Sequence, residues 1–244
     1  MRANPFMASI AVLAAVGLTA CSVDAQPNRS EASGRQDQRD FEVGAFRSIT
    51  LFGPHDVNVA VGGAPSVRAE GDSAVLDGLD IRVEDGVLRV GTRRGWSWRG
   101  PGGRVTIRVT VPALDGASVT GSGDLNIDRA EAERFSASVT GSGDLEIGAL
   151  RARQVDVSVT GSGGIDIDGS AEQADVAITG SGDVDLESFE TRRADVRIAG
   201  SGDISLRATE SVAGTILGSG DVTVRGGATC SFSRVGSGSV RCGD

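Results

Sequence analysis

"SVTGSGDLNID" runs from Ser118 to Asp128, "SVTGSGDLEIG" from Ser138 to Gly148 and "SVTGSGGIDID" from Ser158 to Asp168. The tripeptide GSG at the centre of this phrase extends the series. It begins at Gly121, Gly141, Gly161, Gly180, Gly200, Gly218 and Gly236, at spacings of 18 to 20 residues. A steady period of this length marks a chain that repeats one supersecondary unit.

Each copy has the same grammar. Before the turn, apolar residues alternate with polar ones: Val155, Val157 and Val159 against Asp156, Ser158 and Thr160. After it a shorter run alternates too, Leu145 and Ile147 against Asp144 and Glu146. Period two with β-branched aliphatics on one side is strand, not helix. A single copy offers about five inward aliphatics, too little apolar area to offset the entropy of ordering about twenty residues. Stacked copies cover one another's cores and pair their backbones in parallel ladders about 4.8 Å apart. The pattern therefore predicts an all-β fold, a right-handed parallel β-helix or β-solenoid with about 18–20 residues per coil. The glycines supply the positive φ that a tight corner between inward-facing strands requires.

Four segments follow from the sequence. Residues 1–20 read as a lipoprotein signal peptide: Arg2, a short apolar run, then Leu18-Thr19-Ala20-Cys21, which resembles a bacterial lipobox. In that reading Cys21 is acylated, and Ser22 after it implies outer-membrane sorting. Cleavage after Ala25 would instead give a soluble periplasmic protein. Residues 21–40 are polar and aperiodic, as a flexible tether would be. Residues 41–115 form a degenerate N-terminal β head region, with a hairpin about Asp85-Gly86. Residues 116–244 are the GSG-repeat solenoid.

The entry "FRSITLFGPHDVNVAVGG" from Phe46 to Gly63, the pair "DIRVEDGVLRV" and the later "VTGSGD" ladder together resemble the GIN-domain family of bacterial adhesin heads. The resemblance covers about residues 41 to 241 and implies a β-helical, cell-envelope protein. No C-terminal segment reads as an outer-membrane barrel, so an autotransporter in its own right is not expected.

Composition narrows the function. The chain has 244 residues and a formal net charge of -9. Without a basic field it is not a nucleic-acid binder. Nucleotide loops, Cys/His clusters and nucleophile motifs are missing from the sequence, so no cofactor is expected. Five aspartates follow the corners: Asp124, Asp144, Asp183, Asp203 and Asp221. They form either a calcium ladder or, as the reading we favour, caps for corner amides that also keep the surface soluble. The one basic and aromatic stretch carries Arg93, Arg94, Trp96, Trp98 and Arg99. It suits a glycan or an envelope protein as ligand, or else packs a tryptophan over a solenoid edge. His55, the single histidine, is expected in a solvated turn. Cys230 and Cys242 stand six residues either side of Gly236 at inward positions, where a disulfide would cap the last coil.

The resulting expectation is a non-catalytic, adhesin-like envelope module attached to the membrane through an N-terminal lipid. A glycan-active β-helix enzyme and a purely architectural, self-associating lipoprotein are the alternatives.

Overall fold

The computed structural model describes residues 29–31, 34–99 and 105–243, with side chains from 34 to 96 and from 105 to 243. It is a β-solenoid of about six turns, nearly all strand. Strands β1 (Arg29–Glu31), β2 (Gln36–Phe41), β3 (Ser48–Gly53), β4 (Asp56–Val61) and β5 (Ser66–Asp72) come first. The short helix α1 (Ser73–Leu76) follows, then β6 (Leu79–Glu84), β7 (Val87–Thr92), β8 (Ser97–Arg99) and β9 (Thr106–Val111). The repeat begins with β10 (Gly116–Gly121), β11 (Leu125–Ile127) and β12 (Ala130–Gly141). It continues through β13 (Leu145–Gly161), β14 (Gly164–Gly180), β15 (Asp183–Gly200) and β16 (Ile204–Gly218). The last coils are β17 (Val222–Arg225), β18 (Thr229–Gly236) and β19 (Val240–Cys242).

Every GSG corner lies in register with the next, because all the repeat strands pair in parallel. Gly121 faces Gly141, Gly141 faces Gly161, and the alignment runs on to Gly236. The inward column Val119, Val139, Val159, Ile178, Ile198 and Ile216 is buried throughout. Apolar side chains of like size stacked at one strand spacing fill the lumen. At Gly161 the φ of 122° and the closeness of the Gly141 backbone both exclude a side chain. Gly163 meets the same limit, since a Cβ there would stand 2.8 Å from Val139 Cγ1.

The stack does not begin at residue 116. Gly53 aligns with Gly121 and Val57 with Leu125, so β3 and β4 form a coil directly beneath β10 and β11. Beneath that coil lie β7 and β9, again parallel. Coil order in space thus differs from chain order: β3 and β4 sit between strands that follow them in sequence. Below, the parallel pattern stops, with β6 antiparallel to β7 and β5 antiparallel to β9. Asp85, at φ 52°, and Gly86, at 76°, close the β6–β7 hairpin. These antiparallel strands pair with the edges of β7 and β9.

The tether expected to reach residue 40 is shorter than that. Gln36–Phe41 pairs antiparallel with β5, its ends at Gln36 opposite Asp72 and Phe41 opposite Val67. Asp72, buried, secures this segment: its carboxylate accepts from the amides of Gly34 at 2.7 Å and Ala74 at 2.9 Å. Phe41 packs against the core, which explains why so polar a stretch is recruited into the sheet.

Candidate functional surface

The corner aspartates form a hydrogen-bonded ladder. One carboxylate oxygen of Asp144 accepts from the amide of Gly164 at 2.7 Å, and that of Asp124 from the Asp144 amide at 3.4 Å. Asp183 accepts from the amide of Asp203 at 3.1 Å and Asp203 from that of Asp221 at 2.8 Å. Asp221 takes both the amide and the hydroxyl of Ser239, at 2.8 and 2.9 Å. These bonds, with Arg241 nearby, hold the Asp221 carboxyl below its ordinary value. Where Gly164 interrupts the ladder, the Asp183 amide turns to the carbonyl of Gly163 at 3.3 Å. Each aspartate caps the corner of the following coil, so the repeated Asp has a backbone role.

A second column carries Glu146, Asp166 and Asp185 in register on the outward face. Partial burial and the neighbouring charges of Asp185, Asp168 and Glu146 raise the Asp166 carboxyl above its ordinary value. Among the described residues, no three His, Cys, Asp or Glu side chains are grouped to hold a metal ion. On the other strand Ser138 donates its hydroxyl to Ser118 Oγ at 2.9 Å, the start of a small hydroxylic face.

The basic and aromatic loop divides. Arg93 and Arg94 are exposed. Trp96 is half-buried, and its indole lies so close over Gly78 that no side chain fits there. The Arg93 amide donates to the Gly78 carbonyl at 2.9 Å, which fixes the loop against the turn after α1. Trp96 thus packs rather than presenting its ring. Trp98 and Arg99 belong to β8, whose backbone pairs in parallel with β1, while their side chains lie outside the described residues. Cys21 also lies outside them.

His55 is a correction. It is buried, not solvated, with Nε2 at 3.0 Å from Thr92 Oγ1, and burial lowers its pKa to about 4. Its corner reads Gly53-Pro54-His55, and the second glycine of a GSG corner is the position that Gly123 occupies directly above. The space a glycine would leave is filled by an imidazole turned inward.

At the other end, Cys230 aligns with Val212 and Cys242 with Val224, both inward columns. The two sulfurs are bonded, with Cα atoms 6.4 Å apart. Arg234 stands opposite Ile216 without a register slip and donates to the Gly238 carbonyl at 3.4 Å. The ring of Phe232 fills the space beside Gly214.

In-register coils and backbone-serving corners define a parallel β-solenoid. Residues 45–228 match the family described as "Putative auto-transporter adhesin, head GIN domain", and the chain belongs to that family. Solved structures share the fold. A "putative adhesin" from Bacteroides fragilis has a TM-score of 0.82 at 23% identity, covering 87% of this chain and 99% of its own. A "putative lipid binding protein" from Parabacteroides distasonis has a TM-score of 0.71 at 23% identity, covering 87% of this chain and 98% of its own. A "putative adhesin" from Parabacteroides merdae also has 0.71, at 19% identity, covering 87% and 98%. No curated protein sequence matches the chain.

Proposed function

We propose that the protein is a non-catalytic, adhesin-like binding module of the cell envelope, carried at the outer membrane by lipid on Cys21. The observation that carries the reading is the employment of its charged repeat. The corner carboxylates, the most conspicuous candidates for acid–base chemistry, are bound to backbone amides of neighbouring coils. General acid–base catalysis needs a pair of groups free to face a substrate, which a capping ladder does not offer. A stiff stack with uniform outward columns suits display and contact instead.

Two measurements test this. On a glycan and envelope-protein array run beside a lyase and hydrolase screen, the full chain should bind without turnover; product release from any bound glycan would sink the reading. In cells, Cys21→Ser should abolish incorporation of labelled palmitate and move the protein from the membrane to the soluble fraction. Unchanged fractionation and labelling would remove the anchor from the proposal.

A further inference from the structure

The two-strand coils at the start of the stack give way to three-sided coils, and the change leaves a trough. After β4 and β9 the chain turns away, at Gly62 with φ 124° and at Pro112. After β11 it instead runs on into Ala130 and adds a third side. Two depressions lie consecutively along the strands at this step. The first, of about 480 Å³, is lined by Asn58, Ala60, Thr110, Asn126 and Gly148 among others. The second, of about 890 Å³, continues along the same strands and is lined by Val61, Ala130 and Ala149, with Arg129, Arg151 and one carboxylate, Glu131.

The two arginines are differently placed. Arg129 is oriented from behind: Nε donates to the Val61 carbonyl at 3.2 Å and lies 3.6 Å from the Asp128 carboxylate. That same carboxylate accepts from the amides of Val61 at 2.9 Å and Arg129 at 2.7 Å, which fixes the step itself. Arg151, one coil on and in register with Glu131, makes no hydrogen bond or ion pair among the described residues. The other arginines of the third side are engaged, Arg134 with Gln154, Arg153 with Glu133, and Arg192 and Arg193 with Glu210. In a chain of net charge -9, a guanidinium left unpaired beside this depression is a planar, two-pronged donor facing an open trough.

We infer that this trough binds a carbohydrate chain bearing a carboxylate, with the carboxylate on Arg151 beside the oriented Arg129. Amide and hydroxyl groups of Asn58, Asn126 and Thr110 supply the mixed donors and acceptors that sugar hydroxyls need, and the small floor of alanine and glycine admits a broad ring. An extended acidic peptide fits less well. To add as a strand it would run the length of Ala130–Arg134, past both Glu131 and Glu133, whereas a sugar carboxylate at Arg151 and Arg129 has only Glu131 beside it. The inference rests on the binding-module reading and gives it a place and a ligand class.

The test is titration of the full chain, at low salt, with the tetrasaccharide of galacturonic acid, followed by calorimetry and by product analysis. Saturable binding is expected. Arg151→Ala should weaken it about tenfold or more, as loss of a charge-assisted pair does. Arg151→Lys should fall between, and Arg197→Ala, an exposed arginine on another face, should bind as the parent does. Thermal melts of the three variants should coincide with the parent, since Arg151 supports nothing in the fold. Absence of saturation overturns the inference, as does equal weakening by the two alanine variants. Equal affinity for a neutral glucose tetrasaccharide, or tighter binding of hexaglutamate at Arg151, overturns it too. Cleavage of the tetrasaccharide with Arg151 dependence intact would leave the site standing and remove only the claim that the module lacks catalysis.

Discussion

Replacing Gly161 by Ala is expected to destabilise the protein by about 3–5 kcal/mol, against about 1–2 kcal/mol for the same change at Gly53. The two glycines occupy equivalent corners and both have positive φ, 122° and 105°. Each substitution therefore carries the strain of forcing an L-residue into a backbone region it rarely visits. They differ in what surrounds them. A Cβ on Gly53 meets nothing within 4 Å, whereas one on Gly161 would enter contact distance of the Gly141 carbonyl oxygen, with Gly141 N and C at 3.2 Å. The obstructing atoms are backbone, held by the ladder above and below, and cannot swing aside. The difference between the two variants thus isolates the stacking of corners from the conformation of each. In melting temperature it should appear as a fall of about 4 °C for Gly53→Ala and at least twice that for Gly161→Ala. Because a solenoid is held by nearest-neighbour interfaces, the Gly161 variant should also melt less cooperatively, as the two halves of the stack uncouple. Equal shifts in the two variants would mean that the corners are not packed against one another.

That contrast also marks what could be read without coordinates. Stacking was legible because its cause is local: Val155, Val157 and Val159 alternate with polar neighbours, and the GSG period repeats the alternation at nearly constant intervals. Register came with it, since aligning glycines aligns everything else. The role of the corner aspartates was only half legible. A capping role could be named, but its partner is the amide of a residue 18 to 20 positions on, and that pairing requires knowing which face of each coil meets the next. The placing of β3 and β4 between β7, β9 and β10, β11 left no mark in composition at all. Spatial order among coils of similar pattern depends on long connections, which carry no periodicity. The trough beside Arg151 was invisible for a related reason, since it exists only because two coils stop after two sides while the next continues to a third. Trp96 and His55 show how an unusual residue misleads on its own. An indole beside Arg93 and Arg94 suggests recognition, yet it packs on Gly78, and a histidine in a turn suggests solvent, yet it fills a glycine's place.

Burial of His55 has a consequence that solution measurements reach directly. An exposed histidine in the unfolded chain takes up its proton near the ordinary value of 6.5, while in the folded protein desolvation delays protonation to about pH 4. Between those values the unfolded state binds more protons, so stability must fall as pH falls through this window. Above pH 6.5 the residue is neutral in both states and contributes nothing to the dependence. By pH 4 the accumulated loss is about 3 kcal/mol, from the two values and the free energy of one pH unit. His55→Gln, which keeps an amide within reach of Thr92 Oγ1, should start less stable at pH 7.5 and then stay nearly level down to pH 4. Urea denaturation of both proteins at half-unit steps would show the parent curve descending onto that of the variant. Asp221, held below its ordinary 3.8 by Ser239, gives up its contribution only under still more acid conditions. A parent protein as stable at pH 4.5 as at pH 7 would mean that the imidazole reaches water in the folded state, and that the first corner of the stack is open where the structure closes it.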